Sequence, residues 1–70
     1  MDMVDENCYI VYKDGRGVIV DPGEGFDRIK KAVDELNVKI EAILLTHAHF
    51  DHIMSLDECR KHYGVPVYIS

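Results

Sequence analysis

Four side chains able to hold a metal ion, His47, His49, Asp51 and His52, fall within six consecutive residues of the stretch Thr46-His47-Ala48-His49-Phe50-Asp51-His52. Imidazole nitrogen and carboxylate oxygen suit zinc, and also iron and manganese. The spacing sharpens the reading. Along an extended chain, residues two apart point to the same side, so His47, His49 and Asp51 project together while Ala48 and Phe50 project away. In a helix, residues two apart diverge by ~200° at 3.6 residues per turn, which works against convergence. His52 follows directly and reaches inward from a turn. A single histidine is more often structural than a ligand. Three histidines and an aspartate in this register are hard to explain as packing, which leaves a solvated polar loop as the plain alternative to a metal site.

These residues need elements to position them. Cys8-Tyr9-Ile10-Val11-Tyr12 is β-branched and aromatic and reads as a strand. Lys13 to Gly17 reads as a turn on its two glycines, and Val18 to Asp21 as a second strand, the pair forming an antiparallel hairpin. Pro22-Gly23-Glu24-Gly25 breaks the pattern. Phe26, Ile29, Ala32, Val33 and Leu36 recur at helical spacing with charged residues between them, which predicts an amphipathic helix, with Asn37 as a left-handed stop. Ile40 to Thr46 is a third strand, apolar nearly throughout as for a strand covered on both faces. Ser55 opens a second helix, with Glu58 three residues on completing a capping box. Leu56, Cys59 and Tyr63 give that helix an inner face, and Gly64 and Pro66 end it. Val65 to Ile69 is the last strand. The order ββαβαβ predicts an α/β unit with parallel pairs. The ligand segment then sits past the carboxyl end of an apolar strand and before a helix, the crevice where ligand sites of open α/β sheets lie. Asp21, ending the neighbouring strand, could line the same edge, although an aspartate before Pro-Gly is more often a turn residue than a catalyst.

Bulk properties bound the function. The chain has 70 residues, 47% hydrophobic and 30% charged, with a formal net charge of −5. It reads as one unit over residues 1–70. An acidic chain gives no electrostatic reason to expect nucleic acid as a partner. A core of this size rarely supplies more than ~3–5 kcal/mol, so a metal or a partner chain is an expected staple. Cys8 and Cys59 lack CxxC spacing, which argues against a disulfide framework and for two free, buried thiols in a reducing compartment. The acidic stretch Met1 to Asn7 is unlike a secretory leader, and the apolar run Ala42 to Leu45 is far too short to span a bilayer. The expectation is a cytoplasmic protein with no membrane partner. Tyr9, Tyr12, Tyr63 and Tyr68 are expected to pack in or rim the core, and His62 to be a solvated helix residue.

The stretch "LLTHAHFDHI" resembles the HxHxDH signature of the metallo-β-lactamase superfamily. "NCYIVY" and "VIVDPGE" resemble the opening strands of its glyoxalase II-like hydrolases, and "YGVPVYIS" the strand after the motif helix. The similarity runs from Asn7 to Ser70. It implies the first part of an αββα sandwich, a partial metallo-β-lactamase fold. It also implies a hydrolase with up to two metal ions, zinc first and iron or manganese as alternatives. His47 and His49 would bind the first ion and Asp51 and His52 the second. A water between the ions is the nucleophile, and Asp51 orients it as the catalytic residue. The position of Asp21 lies near the metals in that family without usually ligating them. The substrate class implied is a small ester or thioester, with β-lactam, lactone and phosphodiester as other options. The family completes its site with a later histidine, a bridging aspartate and a final histidine, all beyond position 70. Three expectations follow: a truncated unit of a longer hydrolase, inactive alone; a chain that self-associates as a homodimer through an exposed sheet face or edge; or a small zinc-binding module without catalysis.

Overall fold

The computed structural model describes residues 1–4, 8–23, 25–46 and 55–69. A two-residue strand, β1 (Asp2–Met3), precedes the order read from the sequence and pairs antiparallel with β2 (Tyr9–Lys13). Sequence alternation gives no sign of β1, because two residues are too few to carry a period. The hairpin closes from β2 into β3 (Arg16–Val20) through Asp14 and Gly15 alone, both at positive φ. Two successive left-handed residues make the turn whose twist matches the strands it joins, and Asp-Gly is a preferred pair there. Gly17 therefore belongs to β3 and not to the turn. A Cβ on it would meet the Tyr12 Cβ, the Val11 carbonyl and a Val38 methyl at 3.4 Å each, so glycine lets these groups close over the strand.

Helix α1 (Phe26–Leu36) ends at Asn37, which takes φ 55° and turns its N–H back to the carbonyls of Val33 and Asp34. Asparagine tolerates this conformation better than most residues. Strand β4 (Lys39–Leu45) follows, then α2 (Leu56–Tyr63), stopped by left-handed Gly64, and β5 (Val67–Ile69). The sheet order is β1-β2-β3-β4-β5, with β3–β4 and β4–β5 parallel. Two crossovers that step the same way across a sheet must both be right-handed, and this puts both helices on one face.

That face is the core. Ile10, Ile19 and Ile43 lie side by side across β2, β3 and β4 and are fully buried. Ile29 and Val33 of α1 and Cys59 of α2 pack in the same cluster. One irregularity keeps the alternation in step: Gly17 pairs with Ile40 but Val18 with Ala42, so Glu41 is an extra residue in β4. Ile40 and Ile43 can then both face the helices although they are an odd three positions apart. On the other face, Tyr9, Val11, Val18, Val20, Ala42, Leu44 and Tyr68 share register positions and are half-buried or exposed. Among the described residues the apolar run of β4 is thus buried on the helix-covered side.

Removing three carbons from the central layer by Ile43→Ala is expected to destabilise the chain by ~2–5 kcal/mol, comparable with the whole stability of so small a core. Val11→Ala on the opposite face should shift it by no more than ~0.5 kcal/mol. Urea unfolding followed by circular dichroism separates the two.

Candidate metal-loop anchor at the carboxyl edge of the sheet

Because β3 and β4 are parallel neighbours, their carboxyl ends finish side by side. The residue after each strand is Asp21 in one case and Thr46 in the other, and Asp21 makes three hydrogen bonds to the end of β4, two of them with Thr46. The Asp21 N–H donates to the Leu44 carbonyl at 2.9 Å, extending the ladder by one bond. The Thr46 N–H donates to Asp21 Oδ1 at 2.8 Å, and the Thr46 hydroxyl to Asp21 Oδ2 at 2.5 Å. Asp21 makes these bonds from a left-handed backbone, φ 51°. This conformation costs most residues free energy, but aspartate reaches it more readily. Asp21 is therefore more than the turn residue its sequence context suggests, since both carboxylate oxygens are committed to Thr46.

Pro22 next to it is fully buried. The carbonyl of Gly23 then accepts a hydrogen bond from the Ser55 hydroxyl. Ser55 is 2% exposed and precedes α2, yet its side chain makes no cap bond to the helix. The capping box expected with Glu58 does not form: Ser55 holds φ −95° and ψ 5°, away from the extended backbone from which a cap oxygen accepts the N–H groups of the first turn, and its hydroxyl is turned to Gly23. Charge complements the helix dipole in its place: Asp57 and Glu58 lie in the first turn and Arg60, Lys61 and His62 in the last.

The predicted ligands His47, His49, Asp51 and His52 lie outside the described residues. Those described include the residue immediately before them, Thr46, and Ser55, three residues after His52. Among the described residues, no group of three or more histidine, cysteine, aspartate or glutamate side chains is placed to hold a metal. His62 is exposed and stands edge-on to the rings of Phe26 and Tyr63, at 5.4 and 4.8 Å between centroids, as expected of a helix-surface residue. Cys8 and Cys59 are buried and form no disulfide. Tyr12 and Tyr63 are half-buried against the core, Tyr9 is half-buried on the opposite face of the sheet, and Tyr68 is 58% exposed. Sequence reasoning placed Asp21 at the right edge but missed its hold on Thr46 and the bond from Ser55 to Gly23. The only available signal was positional: an aspartate and a threonine each ending a strand of a parallel pair.

The model of the metallo-beta-lactamase superfamily matches residues 1–70, and the chain belongs to that superfamily. It is 42% identical over 66 residues to the probable metallo-hydrolase YqgX of Bacillus subtilis, covering 94% of this chain and 31% of that protein. It is 31% identical over 64 residues to the hydroxyacylglutathione hydrolase GloC of Haemophilus influenzae, covering 90% and 30%. Among solved structures, the B3 metallo-beta-lactamase BLEG-1 superposes with a TM-score of 0.80 at 40% identity over 87% of this chain and 30% of its own. The di-iron-bound form of TTHA1623 superposes at 0.78 and 32% identity over 97% and 34%. The chain thus spans about 30% of the length of these relatives, and its α/β sheet covers part of the metallo-beta-lactamase fold. No helix among the described residues is long and apolar enough to cross a membrane.

The thiol of Cys59 is pushed up from 9.0 to about 11, first by burial and further by Cys8 and Glu58, with its side-chain hydrogen bond with Ser55 opposing the shift. A thiol that holds its proton more tightly when folded stabilises the fold fully below its unfolded value and loses that contribution as pH rises through 9 towards 11. Cys59 is therefore expected to resist alkylation at pH 8 in the folded chain and to react on unfolding. Iodoacetamide labelling with and without urea, read by mass, checks this; rapid labelling of the folded chain would contradict the burial.

Proposed function

We propose that this chain carries the metal-binding segment of a hydrolase that cleaves an ester-like bond, a thioester foremost. His47 and His49 hold one metal ion and Asp51 and His52 a second. The observation that carries this reading is the fixing of Thr46 at the carboxyl end of β4 by both oxygens of Asp21. It delivers the chain to the edge where α/β sheets bind ligands, directly ahead of three imidazoles and a carboxylate.

The donor set fits the metal that the family implies. Neutral imidazole and carboxylate are ligands for zinc, iron and manganese alike. Zinc is the first choice, and iron is supported by the di-iron form of TTHA1623. A divalent ion bound there supplies a water of pKa about 7 and draws charge from the scissile carbonyl. Asp51 orients the attacking water, and Thr46 and Asp21 hold the entry to the ligand segment. The preference for a thioester rests on GloC, whose name gives an acylated glutathione as its substrate. Two thiols outside any disulfide suit the reducing cytoplasm. The resemblance that supplies these roles also assigns further ligands to positions after residue 70, and we infer that the 70 residues alone bind metal without efficient turnover.

Native mass spectrometry of the zinc-loaded chain tests this. Wild type is expected to retain zinc that EDTA removes, and His47→Ala/His49→Ala to lose it. Thioester hydrolysis by the wild-type chain should not exceed that of free zinc. Equal zinc content in the double variant would sink the ligand assignment.

A further inference from the structure

We draw no further inference here: the strongest candidate, the partly exposed apolar face of the sheet opposite the helices, where Met3, Val11, Val18, Ala42, Leu44 and Tyr68 lie, carries no proposal because nothing among the described residues shows what covers it.

Discussion

Everything at the candidate site depends on β3 and β4 being parallel neighbours. Parallel pairing brings two carboxyl ends to one edge, and a helical crossover must then return the chain to the starting edge. The right-handed crossover fixes which face the helix covers. With α1 and α2 both on that face, the layer of Ile10, Ile19 and Ile43 is sealed. Asp21 and Thr46, 25 residues apart in sequence, meet because the isoleucines hold their strands in register. The hydrophobic layer and the polar clamp are thus two ends of the same strand pair. The layer supplies burial, and the clamp spends a small part of that stability on holding Asp21 in a left-handed backbone.

The second helix shows how a long-range bond can displace a local one. Ser55 stands where a serine usually caps, and Glu58 stands where the reciprocal acid belongs. A cap of this kind is worth ~1 kcal/mol. In the structure the hydroxyl bonds across the fold to the Gly23 carbonyl, 32 residues away in sequence. Local sequence logic sees the cap position and not that distant carbonyl, which is why it assigned Ser55 to the helix.

The same division separates what the sequence disclosed from what it did not. Helix α1 and its stop at Asn37, the hairpin, β4, α2 with its Gly64 end, and the buried cysteines are all encoded by period or by a residue with a special backbone habit, and all were legible. The ligand segment was read as chemistry from its residue types and spacing alone, and it lies outside the described residues. Strand β1, the place of Gly17 inside β3 and the Thr46–Asp21 clamp were not legible. Each depends on a neighbour remote in sequence: β2 for Asp2 and Met3, Tyr12 and Val38 for Gly17, and β3 for Thr46. Periodicity carries no information about such neighbours.

Glu41 gives this architecture a further property. An uninterrupted strand has a fixed parity, so the face presented at its start dictates the face presented at its end. The single extra residue opposite the Gly17–Val18 step reverses that parity once. The chain can therefore enter β4 with Ile40 turned to the helices and leave it with Leu45 turned the same way, five residues later. Upstream and downstream halves of the strand are thereby uncoupled in phase. The amino-terminal half is free to follow the packing of α1, while the carboxyl-terminal half keeps the phase that delivers Thr46 to Asp21. A one-residue irregularity in the middle of the sheet acts as a phase shifter, letting the core and the functional edge each keep its own alternation.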